Sequence, residues 1–315
     1  MKKLVLLILL IITAAGLVYF QNPKPKNFNI TSPLPDLLTH AFPKVLGEEN
    51  IWKPRDITIA SSIKQPDLTA KSAAAYDITT NQYLYKKDVD TKRPIASLTK
   101  IMTAIIALEN EDINKEFTVS HAAANIGEDS MGLSEGEKFA LSDLLYGLVL
   151  NSGNDAAETI AQDSQFGRAN FVYLMNKKAE DLALSGTHFT NPTGLQGDGN
   201  QYSTISDLLS ITHYALQNST FAKVAATYEY DIPESSTHKA YTLYNETNLL
   251  TTYPGVKGVK TGFTDEAGMC LVTYLEYDGH KIIAIVLNAE NRREEMKELL
   301  DYSLKTEGIT PPPHD

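Results

Sequence analysis

The chain of 315 residues has a single cysteine, Cys270, so no internal disulfide and no multi-cysteine zinc or iron–sulfur site can form. It has no basic surplus either: Lys+Arg total 28 against Asp+Glu 39, a net charge of −11. With no basic stripe to neutralise phosphates, nucleic acid is excluded as a partner. No pair of its seven histidines has metalloprotease spacing, which argues against a zinc peptidase, and no metal or cofactor is expected. Internal repeats and low-complexity tracts are also missing. What is present is ordinary for a folded body, 43% hydrophobic and 21% charged, in a length that buries a core without crosslinks.

One apolar run stands apart. Lys2 and Lys3 precede an uncharged stretch from Leu4 to Phe20, which reads as a membrane anchor or secretory signal with the lysines on the cytoplasmic side. The only small-residue cleavage candidate, around Thr13-Ala14-Ala15, is followed by more apolar residues. An uncleaved anchor over 1–20 is therefore the expectation, with signal cleavage and secretion as the alternative, and the body is expected outside the cytoplasm. Residues 21–68 carry half of the prolines and no sustained period, so they read as a tether spanning about 40 Å, with an extended segment packed along the domain around Ile51-Trp52 as the other reading. A catalytic body is expected over 69–315.

Within that body, Ala73–Ile78 and Gln82–Lys86 read as strands around Thr79-Thr80-Asn81. Helical spacing follows over Ser97–Glu109, Leu141–Leu150, Asn154–Ala161, Phe171–Leu184 and Ser203–Gln217. Strands return over Val256–Thr261, Cys270–Tyr277 and Lys281–Asn288, the last two joined by the hairpin signal Asp278-Gly279. A closing amphipathic helix covers Asn291–Thr306. Helices between an N-terminal hairpin and a C-terminal meander imply an α/β (α+β) body, an antiparallel sheet covered by helices with a helical lobe.

Three short segments carry chemistry. In Ser97-Leu98-Thr99-Lys100 a hydroxyl and an amine three residues apart share one helix face, so a neutral lysine can deprotonate the serine. Ser61…Lys64 and Ser236…Lys239 repeat the spacing, but only Ser97 opens a long apolar helix; its other reading is a helix cap. Ser152-Gly153-Asn154 lies at a helix junction, where a hydroxyl can relay a proton and an amide can hold a carbonyl or the lysine. Lys260-Thr261-Gly262, on a strand, suits recognition of an anionic group beside closely approaching backbone. Cys270 reads as a small buried residue.

In that order and spacing the three segments form the signature of serine penicillin-recognising enzymes. The stretches PIASLTKIMTA (94–104), LVLNSGNDAAE (148–158), FTNPTGL (189–195), YSTISDLL (202–209) and GVKGVKTGFTDEAGMCLV (255–272) resemble D-alanyl-D-alanine carboxypeptidases, the low-molecular-mass penicillin-binding proteins of peptidase family S11. The resemblance implies a serine DD-carboxypeptidase that removes the terminal D-alanine from peptidoglycan stem peptides and is acylated by β-lactams. It implies Ser97 as nucleophile, Lys100 as general base and Ser152 as proton relay. Asn154 would hold the substrate amide, Lys260 and Thr261 its carboxylate, and the N–H groups of Ser97 and Phe263, beyond Gly262, the oxyanion. Many family members add a C-terminal β domain and anchor helix; this sequence shows neither after its closing helix, so anchorage is expected at the N-terminus. A DD-endopeptidase on crosslinked peptidoglycan shares this site. A β-lactamase normally needs a loop glutamate, and no Glu-x-x-Leu-Asn pattern follows Ser152. A non-catalytic wall-binding protein would have no need of an activated nucleophile.

Overall fold

The computed structural model describes residues 51–197 and 199–314; the expected anchor over 1–20 and the first part of the tether lie outside them. Among the described residues no helix is long and apolar enough to cross a membrane. Five strands form one antiparallel sheet: β1 (Ser72–Asp77), β2 (Gln82–Lys87), β7 (Val256–Thr264), β8 (Gly268–Tyr277) and β9 (His280–Ala289), in the order β2-β1-β9-β8-β7. Two short two-stranded sheets pair β3 (Glu116–Thr118) with β4 (Lys138–Ala140) and β5 (Glu229–Ile232) with β6 (Tyr241–Tyr244).

Alternation of side chains explains why the central strand is apolar from Ile282 to Leu287. Ile283, Ile285 and Leu287 of β9 face one core, together with Ala74 and Tyr76 of β1. Ile282, Ala284 and Val286 face the other, with Ala73 and Ala75. A sheet covered on both faces leaves no position between Ile282 and Leu287 for the polar half of the pattern. The second core is closed by Met296, Leu299, Leu300 and Leu304 of a C-terminal helix, Arg292–Thr306. The first is closed by the helical lobe. At its centre α1 (Lys100–Asn110) is buried from Lys100 to Ala107. Around it lie α2 (His121–Ala124), α3 (Leu141–Val149), α4 (Asn154–Gln162), α5 (Gly167–Asp181), α6 (Ile205–Leu216) and α7 (Ser219–Ala225). The short α8 (Leu249–Thr252) precedes β7, and the C-terminal helix is α9. At the hairpin between β8 and β9, Asp278 and Gly279 have φ of +47° and +82°, the double positive pair of a tight primed turn.

From Trp52 onward the proline-rich stretch packs along the body, the alternative reading around Ile51-Trp52. Trp52 stacks on His213 of α6 with ring centroids 4.0 Å apart and meets Tyr76 edge-on. Tyr83 on the outer strand β2 bonds the backbone of Ile57 and Ile59 at 2.7 and 3.0 Å, and Ile59 and Ile63 pack on the second core. The apolar residues among the prolines give this stretch surface to bury, which outweighs its lack of periodicity. Residues 51–68 therefore lie on the body.

Candidate active site

Ser97 lies in a 3₁₀ turn, Ala96–Thr99, that leads into α1, rather than in the α-helix expected from Ser97 onward. No side chain caps this turn, so the capping alternative for Ser97 fails. Two glycines fix its position. Ala96 has φ +47°, a left-handed conformation unusual for alanine, and Gly194 packs against it. A Cβ at Gly194, itself at φ +91°, would lie 2.0 Å from the Ala96 carbonyl oxygen. From β7, a Cβ at Gly262 would lie 3.1 Å from the Ile95 oxygen and 3.2 Å from the Ser97 nitrogen. The motif glycine thus lets the strand press against the nucleophile's backbone.

Lys100 is fully buried. Its Nζ lies 2.8 Å from Ser97 Oγ, 2.7 Å from Asn154 Oδ1 and 2.7 Å from the Thr193 carbonyl oxygen. Asn154 is oriented by its own Nδ2, which donates to the Gly127 carbonyl at 3.1 Å, so Oδ1 faces the lysine. Two of the three partners can only accept hydrogen bonds. A neutral amine has two N–H groups and one lone pair; the N–H groups meet the carbonyls, and the lone pair faces the serine hydroxyl. Burial is the main force pushing the Lys100 pKa well down, and the nearby Lys260 adds to it against Asp129, Glu246 and Asp155.

Thr193 is held by Asn191, whose Oδ1 accepts from the Thr193 backbone and hydroxyl and from Gly194 N at 2.7–3.1 Å. Thr103 of α1 donates to the Pro192 carbonyl at 2.6 Å. This Asn191–Leu195 loop therefore supplies both the lysine's third partner and the glycine that shapes the nucleophile turn.

Ser152 and Asn154 occupy the junction between α3 and α4. Ser152 has φ +56°, is buried, and its Oγ makes no hydrogen bond. A strained backbone and an orphaned hydroxyl each cost about 1–3 kcal/mol, so the rest of the junction must hold this residue in place. Asp155 contributes by accepting from Ser130 Oγ and from Met131, Gly132 and Leu133 N, which fixes the loop over the junction.

Across the cleft, Lys260 and Thr261 are buried, while Phe263 is 53% exposed. Lys260 Nζ donates to its neighbour's carbonyl, Thr261 O, at 3.1 Å. Burial pulls its pKa down to about 8; Glu246 and Asp129 oppose the shift and Arg292 adds to it. The Thr261 hydroxyl donates to Glu246 Oε2 at 2.8 Å, and Arg292 Nη1 donates to the Gly262 carbonyl at 2.8 Å. A pocket of about 470 Å³ opens beside them, lined by Asp129, Glu246, Thr261, Phe263, Met269 and Arg292.

The structure thus brings Ser97, Lys100 and Asn154 into direct contact, sets Ser152 at the same junction without a bond to them, and faces them with Lys260, Thr261, Gly262 and Phe263. Sequence reasoning assigned no role to Thr193, Asp129, Glu246 or Arg292. Thr193 acts through a backbone carbonyl, which leaves no side-chain signal, and Glu246 and Arg292 reach the site from outside the motifs. Among the described residues, Asp77, His280 and Glu307 come close enough together for metal ligation. They sit at the far end of β9 from Ala289, which pairs beside the cleft, about 30 Å along the strand.

The D-alanyl-D-alanine carboxypeptidase family, peptidase S11, matches residues 59–291. The D-alanyl-D-alanine carboxypeptidase DacF of Bacillus subtilis is 35% identical over 242 residues, 74% of this chain and 62% of that protein. A D-alanyl-D-alanine endopeptidase of Escherichia coli is 30% identical, over 73% of this chain and 74% of its own length. The solved structure of the Streptomyces K15 DD-transpeptidase is 33% identical and superposes with a TM-score of 0.73, over 77% of this chain and 100% of that one.

Proposed function

The chain belongs to the D-alanyl-D-alanine carboxypeptidase family, peptidase S11, and from that premise we propose that it is a serine DD-carboxypeptidase of peptidoglycan. The observation that carries this reading is the buried Lys100 amine, with two carbonyl acceptors and the Ser97 hydroxyl as its only hydrogen-bond partners among the described residues. Lys100 removes the Ser97 proton as Oγ attacks the carbonyl between the two terminal D-alanines. The oxyanion forms against the N–H groups of Ser97 and Phe263. Ser152 passes the proton to the leaving amine, whose carboxylate is met by Lys260 and Thr261, while Asn154 holds the substrate amide. D-alanine departs, and water then hydrolyses the ester on Ser97. A β-lactam presents a similar carbonyl and carboxylate and acylates the same hydroxyl.

Peptide mapping after labelled penicillin tests the assignment. The adduct is expected on Ser97 alone; an adduct on Ser61 or Ser236 would reject it. Turnover on crosslinked against monomeric stem peptides decides between this activity and a DD-endopeptidase, which the E. coli relative's name keeps in view. For location, the Lys2-Lys3 flank and the uncharged run to Phe20 support a body held outside the cytoplasmic membrane by its N-terminus. Intact mass of the native protein checks this: a mature start near residue 16–22 would remove the anchor but not export.

A further inference from the structure

The pocket beside Thr261 contains a group that a carboxylate-binding site does not need. Arg292 and Arg293 line it together with Glu246 and Asp129, so its lining is already matched charge for charge and only Lys260, beside it, adds a positive charge before any anionic ligand enters. Glu246 is also placed where the ligand is to bind: its Oε2 already accepts the Thr261 hydroxyl proton at 2.8 Å. That hydroxyl has one proton to give. A substrate carboxylate must either draw it away from Glu246, leaving two carboxylates side by side, or bind to Lys260 without it.

We propose that Glu246 is a specificity-determining residue, an internal carboxylate that competes for Thr261 and lowers affinity for substrates ending in a free carboxylate relative to those whose leaving group is neutral at that point. This rests on the DD-peptidase reading above and adds a direction to it: Glu246 weakens the hold on the free carboxylate at the leaving-group side of the cleft and so narrows the preference for terminal D-alanine over amidated or bridged peptides. The backbone of Glu246 is tied independently, its N–H donating to the Leu150 carbonyl at 3.1 Å, so the side chain can be changed without freeing the loop.

The test compares a stem-peptide analogue ending in D-Ala-D-Ala with the same peptide ending in the carboxamide, on the full chain carrying Glu246→Gln or Glu246→Asp. Glutamine keeps an acceptor for Thr261 and removes the charge. The acid-to-amide ratio of kcat/KM is expected to rise about tenfold in Glu246→Gln, mainly through KM of the acid, as expected when a like charge beside an anion is removed. Glu246→Asp keeps the charge and should hold the ratio near that of the unaltered enzyme. An unchanged ratio in Glu246→Gln, or an equal change for both peptides, would overturn the proposal. If the unaltered enzyme cleaves neither peptide and takes no penicillin on Ser97, the DD-peptidase reading itself fails, a result separate from any change in ratio.

Discussion

The helical wall and the sheet wall of the cleft each bury a lysine, and they discourage its charge to different degrees. On the helical wall Lys100 meets neutral oxygens, and no carboxylate bonds it. Its pKa falls well below the usual lysine range. On the sheet wall Lys260 is as deeply buried, but Glu246 and Asp129 stand near, and its pKa falls only to about 8. Burial is the largest cause of both shifts and the same two carboxylates oppose both; what separates the lysines is the set of direct partners and the positive neighbour, Lys260 for Lys100 and Arg292 for Lys260. The two lysines are also linked, since the Lys260 charge helps to keep Lys100 neutral.

The comparison breaks furthest at Lys100. Lys100→Ala removes the base and should lower the penicillin acylation rate by roughly 10³-fold or more. Lys100→Arg should do no better, because a guanidinium stays charged. Stopped-flow acylation measures both, and a rate within tenfold of the unaltered enzyme would refute the base assignment. Next comes the turn that presents Ser97. Gly194→Ala drives a methyl group into the Ala96 carbonyl, and displacing the nucleophile should cost about 10²-fold in acylation along with a lower Tm. Full acylation in that variant would show that the turn tolerates displacement.

Lys260→Ala tests the other wall. Losing a charge-assisted bond worth about 1.5–3 kcal/mol should lower kcat/KM for a D-Ala-D-Ala peptide by about 10- to 100-fold, with Lys260→Arg recovering part. The same residue sets a pH limb. Its ammonium form, which pairs with the carboxylate, is lost as pH rises through about 8, so kcat/KM should fall above that pH in the unaltered enzyme. Arginine does not titrate there, so the limb should vanish in Lys260→Arg; if it persists, another group is responsible. The smallest effect belongs to Cys270 of β8, which pairs with Gly262 on the neighbouring strand β7. It is buried and its thiol is pushed up to about 11, so thiol reagents should not label the folded protein. Cys270→Ala should change stability by only about 1 kcal/mol and leave acylation in place. Rapid labelling of the native protein would contradict this placement.

Much of this was legible before any coordinates. The strands of the main sheet and the long helices follow from period and turn chemistry, and the Asp278-Gly279 hairpin lies where its residues require. The helix boundaries shifted where tertiary contacts intervene: Ser97 was drawn into a 3₁₀ turn by the glycines that flank it. The small sheets β3–β4 and β5–β6 escaped because three- or four-residue strands are too short for a period to register. For residues 51–68 the sequence leaves a tether and a packed segment both open, because proline content says nothing of what a few well-spaced isoleucines and a tryptophan can bury. At the site, motif side chains were readable, whereas Thr193 works through a carbonyl and Glu246 through a fold that brings it 15 positions back to Thr261.

The strand order also has a consequence in time. The middle strand β9 is the last of the sheet to be synthesised, yet the first hairpin depends on it: Ser72 pairs with Leu287, across more than two hundred residues. Until His280–Ala289 has emerged, β1–β2 and β7–β8 have no shared neighbour, and closing so long a loop is slow. The cleft is therefore completed late in synthesis, once the last strand and the helix behind it, which carries Arg292, have joined the sheet.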